Sequence, residues 1–502
     1  MPKIILSTLN ARFSHTSLGL RYLYANMKEL QNMCAIKEFV IHKNNQEIAQ
    51  KILEYDPNIV GFGVYIWNAQ DIKEIVDTIK AVSPKTTIIL GGPEVSYEPL
   101  RVDFGRADYI ISGEADELFY TLCRDIMDGK RPGKRLHRAK GVDLKKIMLP
   151  YCYYSDFDLQ NRYLYIESSR GCPFSCEFCL SSIDTCVRYF DFDVLLQELQ
   201  TLWQRGARDF KFVDRTFNCN IKKAAILIDF FQNKKEPYFL HFEFIPDAFA
   251  HRLKDRLQKF PPHSLQLEIG IQTLDESVAK NISRVMDRKK VEQNLHFLRT
   301  KTTAHLHLDL LIGLPGQTLQ SFGKDLNDLM AQSSCEIQLG ILKKLSGTAL
   351  ARHDKTHKMV YANKPPYDIL ATGTIDFLTM QKLKRFARYW DIVYNSGNFK
   401  QSVTLLWEDG DVFEGFWGFT DYFYQNTQST HQIGIERVVK YLFTYLTTKK
   451  GKDKKEVATL LANDLGKIKG RKIPPFLKPY CDAQQKQQIV NDASKKRQIK
   501  HL

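Results

Sequence analysis

Long apolar runs are missing from this sequence. No stretch approaches the ~18 uninterrupted apolar residues that cross a bilayer as a helix. The opening MPKIILSTLN holds one short apolar run, without the basic start and cleavage site of a secretory leader. A protein without membrane insertion, in the cytoplasm, is expected. Cysteine is scarce, ten in 502 residues, which excludes a disulfide scaffold. Acidic residues are outnumbered, 57 against 72 lysines and arginines, and the formal charge of +15 favours a polyanionic partner. The 18 prolines are thinly spread, and a 43% apolar, 12% aromatic composition excludes a mainly disordered chain. The length exceeds what one core organises, so two or three domains are expected. There is no internal repeat.

What is present is an alternation of short apolar runs and amphipathic stretches. Runs at 4–9, 35–41, 59–64, 88–90 and 109–111 read as buried strands, with helical patterns at about 18–30 and from about 46 between them. This predicts a doubly wound parallel sheet over 1–130. Ligands of such sheets sit beyond the carboxyl ends of the strands, where Gly61-Phe62-Gly63, Gly91-Gly92-Pro93 and Ser112-Gly113-Glu114 stand. Each glycine pair alone reads equally as turn chemistry. Periodicity fails over 131–160, where basic residues gather from Arg131 to Arg138, and a linker is expected there. Strands at 163–167, 210–213, 238–244, 265–271, 305–312 and 336–341, with helices at 192–203 and 222–231, predict a second α/β unit of about six strands over 161–345, a partial barrel. Residues 346–502 read as mainly helical, with stretches at 377–394 and 435–447 and a loosely packed, lysine-rich tail over the last fifty residues.

Three of the ten cysteines crowd one loop. Arg170-Gly171-Cys172-Pro173-Phe174-Ser175-Cys176-Glu177-Phe178-Cys179 directly follows the strand at 163–167 and spaces its thiols C-x3-C-x2-C. Three such thiolates hold three irons of a cubane and leave the fourth without a protein ligand. A structural zinc site and an electron-transfer cluster each need a fourth ligand, which Cys186 is near enough in sequence to supply.

The loop closely resembles that of the radical S-adenosylmethionine (SAM) superfamily, C-x3-C-x-aromatic-C, matched by Cys172, Cys176, Phe178 and Cys179. The resemblance implies a [4Fe-4S] cluster on the three cysteines, with the amino and carboxylate groups of SAM on the open iron and reductive cleavage to a 5′-deoxyadenosyl radical. Downstream, Lys211 to Asn218 resembles the segment that binds the ligand's amino group, which brings in Asp214, Thr216 and Asn218. Glu268 to Thr273, continuing to Arg284, is similar to the family's GIQ pattern, and His307 to Gly316 to its GLPG turn. Gln272, Arg284 and Leu314 therefore join the expected SAM contacts. Arg284 can pair bidentately with a carboxylate, and Glu243 can accept from ribose hydroxyls. By residue type alone Arg284 reads equally as a surface cation and Gln272 as a satisfied polar group in a barrel layer.

A parallel sheet immediately before such a barrel is similar to the cobalamin-binding subfamily, as is the opening from Leu9 to Tyr22. The resemblance implies a Rossmann-like cobalamin domain, a partial TIM-type (β/α)6 radical SAM barrel and a mainly helical accessory domain. Its cobalamin contacts would include Asn10, Arg12, Ser14, His15, Tyr65, Ile66, Asn68, Gly91, Gly92, Pro93, Gly113 and Glu114. The mutase-type D-x-H-x-x-G motif is absent: His15 stands four residues before Gly19, with no aspartate two before it. No histidine on cobalt is therefore expected, and His15 reads first as a loop hydrogen-bonding residue.

Taken together, the resemblance implies an enzyme that uses a [4Fe-4S] cluster, SAM and cobalamin to methylate an unactivated carbon, supplied with electrons by a flavodoxin- or ferredoxin-type protein. The cofactors carry the chemistry and no catalytic side chain is singled out. The positive charge, the basic linker and a face with Lys382, Lys384, Arg385, Arg388, Tyr389 and Trp390 read as an RNA-binding surface, which puts a transfer RNA nucleotide ahead of a peptide or a small metabolite as substrate. Cyclisation or rearrangement, a non-catalytic cobalamin and iron-sulfur sensor, and a zinc protein that binds RNA remain alternatives. Oligomeric state is not readable.

Overall fold

The computed structural model describes residues 1–332, 335–468 and 471–481. They form two compact units. The first takes in 1–243, 343–351 and 361–368, and the second 244–342, 352–360 and the chain from 369.

The first unit begins with six strands: β1 Ile4–Asn10, β2 Cys34–Val40, β3 Ile59–Gly63, β4 Thr87–Gly91, β5 Tyr109–Ser112 and β6 Leu136–Arg138. They lie in the order β2-β1-β3-β4-β5-β6, every neighbour parallel. All seven residues of β1 are buried, as a central strand with both faces covered requires. Helices Asn45–Leu53 and Ala69–Val82 cover one face through Ile48, Ile52, Ile72, Ile75 and Ile79. Helices Leu18–Ala25 and Leu118–Met127 cover the other through Leu20, Phe119, Leu122 and Cys123. Strand order reverses at β1 and β3, so a crevice opens at their carboxyl ends.

The stretch 131–160, expected as a linker, is built into the unit instead. Leu136–Arg138 is the sixth strand of the sheet, and Tyr151 and Tyr154 are fully buried. Tyr151 Oη accepts from Glu167 N and donates to Glu167 O, both at 3.0 Å, and Tyr154 Oη does the same for Tyr165 at 3.0 and 2.8 Å. These hydroxyls satisfy backbone groups along the free edge of β7, Leu164–Ile166. Aromatic side chains in an aperiodic stretch gave no signal of this role.

Beyond β7 comes a short antiparallel hairpin, β8 Ser169–Arg170 with β9 Arg188–Tyr189. Two further strands, β10 Asp209–Phe212 and β11 Phe239–Phe244, follow helices Phe192–Gln204 and Ile221–Gln232. β7, β10 and β11 are parallel neighbours in that order.

The second unit carries β12 Leu265–Gln272, β13 His305–Ile312 and β14 Glu336–Ile341, again parallel and in sequence order. Inward residues of β13 alternate with half-buried ones, the period of a sheet with layers on both sides. Its helices include Arg288–Lys301 and Leu319–Gln332, then Phe377–Val393, Val412–Thr427, Ile435–Thr448 and Lys454–Gly466. The fold class expected from the sequence holds: parallel α/β sheets followed by a helical region.

Two expectations for that helical region fail. Tyr389 and Trp390 are fully buried and so are no stacking platform for bases. Lys382 pairs with Asp421 at 2.5 Å and lies 3.7 Å from the Trp417 centroid, Arg385 covers Tyr424, and Arg388 binds Thr430 O and Asp391. The pattern taken for an RNA face is largely aromatic packing with cations laid over its rim. The last fifty residues also begin as ordered structure, since Lys454–Gly466 buries Val457, Ala458, Leu461, Ala462 and Leu465 and is N-capped by Asp453. The tail over 482–502 lies outside the described residues.

Candidate functional site

At the carboxyl end of the first sheet lies a cavity of about 240 Å³, lined in part by Gly19, Gly61, Gly91, Gly92, Gly113 and Phe119. The glycines leave it open. A Cβ on Gly61 would stand 2.8 Å from the Phe119 ring, and Gly92, at φ +103°, holds a conformation in which a Cβ would meet Val64 O at 2.6 Å. Gly91 has only Ile111 O within 4 Å of such an atom, so its missing side chain is simply space.

Buried Asn68 fastens the strand ends beside the cavity. Its Oδ1 accepts from Tyr65 N at 2.8 Å, and its Nδ2 donates to Thr8 Oγ1, Leu9 O and Gly63 O at 3.1 to 3.2 Å. The Tyr65 ring, which lines the cavity, stacks on Trp67 at 4.5 Å and 4°. Ile66 between them is half-buried. Asn10 Nδ2 donates to His15 O and Glu38, and Ser14 O accepts from Tyr163 N. His15 Nδ1 is hydrogen-bonded to Tyr165 Oη, and burial with nearby Lys211 and Arg12 lowers its pKa. Arg12 is exposed, and Pro93 begins a short turn of 3-10 helix after Gly92. Asn68 and Asn10, expected at cobalamin, thus use their amides to shape the loops.

The cavity's polar rim was not legible in the sequence. Glu167, Arg170 and Asp116 line it. Arg170 makes a two-pronged pair with Asp116 at 2.9 and 3.1 Å, binds Glu167 at 2.9 and 3.0 Å, and lies over the Tyr22 and Phe190 rings. Burial pulls its pKa down, but the two carboxylates outweigh this and the net shift is upward, so it stays a cation. At the other side of the hairpin Arg188 binds Glu114 at 2.5 Å and Val142 O at 2.9 Å. Glu114, expected among the cobalamin contacts, is therefore an ion-pair partner of the hairpin. Two arginines, one on each hairpin strand, thus grip the single turn that follows β5.

Between those strands runs the cysteine loop. Gly171, at φ +92°, sits where a Cβ would collide with the Cys186 carbonyl, and Cys172 N donates to Asp184 O at 2.9 Å. Cys172 and Cys176 are buried, Cys179 and Phe178 are half-buried, and Cys186 is exposed. Among the described residues no three His, Cys, Asp or Glu side chains converge as on one ion. A cubane asks for something else, since its three thiolates bind three different irons. Three thiols on one short loop suit that group.

Asp214, expected to touch SAM, holds the root of this loop. Its carboxylate accepts from Ser168 N at 2.9 Å, Ser168 Oγ at 2.7 Å and Ser169 Oγ at 2.5 Å, and burial raises its pKa against those donors. Thr216 precedes a short turn that contains buried Asn218. Glu243 pairs with Arg215 at 3.0 Å.

The other expected SAM residues stand in the second unit. Gln272 has φ +71°, and its amide lies 2.6 Å from where a Gly270 Cβ would be. Arg284 donates to Gly270 O, which brings Arg284 and Gln272 to one strand end. Leu314 is fully buried in a turn organised by Gln317, a residue the motif reading missed. The Gln317 side chain accepts from Gly313 N and Leu314 N and donates to Leu311 O.

Comparison with known families gives matches along most of the chain. Residues 5–122 match the B12 binding domain, residues 166–329 the radical SAM superfamily, and residues 355–502 a protein of unknown function (DUF4080). The chain therefore carries a B12 binding domain followed by a radical SAM domain. The chain is 25% identical over 239 residues to an uncharacterized methyltransferase of Pyrococcus horikoshii, covering 41% of this chain and 50% of that protein. It is 24% identical over 339 residues to the cobalamin-dependent radical SAM methyltransferase TokK of Streptomyces tokunonensis, 59% of this chain and 48% of the other. The chain spans about half the length of the curated relatives it matches. Among solved structures it shares the fold of OxsB, a cobalamin-dependent S-adenosylmethionine radical enzyme, at a TM-score of 0.62 and 12% identity over 96% of this chain and 83% of that one.

Proposed function

We propose that this chain is a cobalamin-dependent radical SAM methyltransferase. One observation carries the reading: a glycine-lined cavity at the ends of a parallel sheet shares its rim residue Arg170 with the root of a three-cysteine loop. When bound, the cluster and SAM supply a 5′-deoxyadenosyl radical on reduction, and cobalamin supplies a methyl carrier.

The protein's part is to hold and shield. Cys172, Cys176 and Cys179 would hold the cluster, with Asp214 and the two arginine pairs fixing the loop they stand on. Phe178, Thr216, Asn218, Glu243, Gln272, Arg284 and Leu314 are the SAM contacts we propose, Arg284 toward a carboxylate. Gly91, Gly92 and Gly113, which put no side chain into the cavity, would receive the nucleotide end of cobalamin. Tyr65 with Trp67 stands at the strand end, where the corrin would lie.

Anaerobic reconstitution with iron, sulfide and hydroxocobalamin, followed by strong reduction with SAM, tests the reading. The wild type should be brown, retain cobalamin and release 5′-deoxyadenosine or S-adenosylhomocysteine, and Cys176→Ala should lose the cluster and all turnover. Cofactor retention without any SAM consumption would replace the enzyme by a sensor. A colourless protein that binds zinc would remove both.

For substrate, the +15 charge and the exposed Arg131 and Lys134 favour a transfer RNA nucleotide, although the 382–390 face no longer contributes. Nucleoside mass spectrometry of transfer RNA from a deletion strain should show one methylated species missing, restored by wild type and not by Cys176→Ala. An unchanged profile directs the search to peptides and small metabolites.

A further inference from the structure

The region of unknown function does not begin with its helices. Residues 343–351 and 361–368 belong to the first compact unit, and the second of these segments lies inside the match to DUF4080. What they touch there is the loop from Gly92 to Arg101, which leaves β4 at the cavity. Tyr367 is fully buried, and its hydroxyl donates to Glu94, itself 4% exposed. Arg101 stacks on the Tyr367 ring at 4.4 Å and donates to Lys344 O at 2.5 Å. Gly347, at φ +86°, presses on the Tyr97 ring so closely that a Cβ there would stand 2.6 Å from it. Lys344 N donates to Tyr367 O at 3.1 Å and ties the two segments into one strap. Burial raises the Glu94 pKa against the opposing pull of the tyrosine hydroxyl and Arg101.

Glu94 stands two residues beyond Gly92, a cavity wall, and the loop's Ser96 receives Gly113 N on its hydroxyl and Ser112 Oγ on its carbonyl. Whatever holds this loop therefore also holds the Gly92 and Gly113 walls. We infer that residues 343–351 and 361–368 are a strap that completes the cobalamin site from the chain's C-terminal part, with Tyr367 as the positioning residue that fixes the Gly92 to Arg101 loop through Glu94. The inference rests on the cobalamin reading for its ligand, but not for the strap itself.

The test uses the full chain. In ligand-free protein, Tyr367→Phe removes one hydroxyl and keeps the ring, so amide hydrogen exchange over 92–101 should rise about tenfold with exchange over helices Phe377–Val393 and Val412–Thr427 unmoved. Glu94→Gln, which keeps an acceptor for the hydroxyl, should stay close to wild type. Titration with hydroxocobalamin should show the dissociation constant of Tyr367→Phe raised about tenfold. If Tyr367→Phe does not fold, Arg101→Lys, which withdraws the planar cation from the ring and from Lys344 O, carries the same two expectations. Unchanged exchange over 92–101 would overturn the strap. Raised exchange with unchanged cobalamin affinity would overturn its part in the cofactor site. A wild type that binds no cobalamin would instead overturn the functional reading, and exchange alone would then decide the strap.

Discussion

The first sheet and the helices after residue 377 treat apolar space in opposite ways. At the ends of β3 and β4 glycine withholds side chains, and a cavity of about 240 Å³ survives beside a tightly packed sheet. In the helical region Phe386, Trp390, Phe413, Phe416, Phe419 and Phe423 are buried in one aromatic cluster, with centroid separations of 5.0 Å for Phe386–Phe416, 5.1 Å for Trp390–Phe416 and 5.4 Å for Phe419–Phe423. The same hydrophobic effect drives both. The difference teaches that a cavity here is made by what the sequence omits, and a scaffold by what it crowds in.

Emptying the crowded region should give the largest effect. Trp390→Ala removes a fully buried ring and the Nε1 bond to Ile337 O, and a loss of about 3–5 kcal/mol is expected in denaturant titration, with hydroxocobalamin affinity kept. Equal loss of both would mean that the contrast between the regions is superficial.

A second change tests whether the second unit's strand ends tolerate a buried charge. Burial pushes the Asp325 carboxyl up to about 6, against the Thr273 hydroxyl that donates to it at 2.6 Å. Its folded pKa lies above the unfolded value, so the stability it contributes is full below about pH 4 and is lost as pH rises through 6. Asp325→Asn should flatten that slope, by on the order of 2 kcal/mol between pH 4 and pH 7, in melts followed across pH. An unchanged slope would show that Asp325 ionises freely.

Filling the open region should give smaller effects on stability and large ones on binding. Gly92→Ala meets Val64 O and a positive φ, so about 1–3 kcal/mol should be lost together with cobalamin affinity. Gly91→Val has no such clash, and a strand accepts valine. Stability should move by less than about 1 kcal/mol, while spectrophotometric titration shows cobalamin binding weakened at least tenfold. Retained affinity in Gly91→Val would move the cofactor's nucleotide end elsewhere.

Much of the fold was legible. The strands predicted at 305–312 and 336–341 are His305–Ile312 and Glu336–Ile341, and the helix predicted at 192–203 is Phe192–Gln204. Long periodic segments announce themselves because their burial pattern repeats. The two-residue hairpin strands β8 and β9 and the tyrosines that edge β7 left no periodic trace, since two residues are too few to show an alternation and the tyrosines act through single hydroxyls. In the helical region the sequence showed cations and aromatics interleaved at 382–390, which is the same string whether the rings face solvent or each other.

By itself the sequence determined the order of strands and helices, the three-cysteine loop and the turn glycines, because these depend on local spacing and on backbone freedom. Only the tertiary structure decided which polar groups hold the site. Asp116 meets Arg170 across 54 residues, Glu114 meets Arg188 across 74, and Tyr367 meets Glu94 across 273. A charge or a hydroxyl carries no mark of its partner until burial removes water as the competing one.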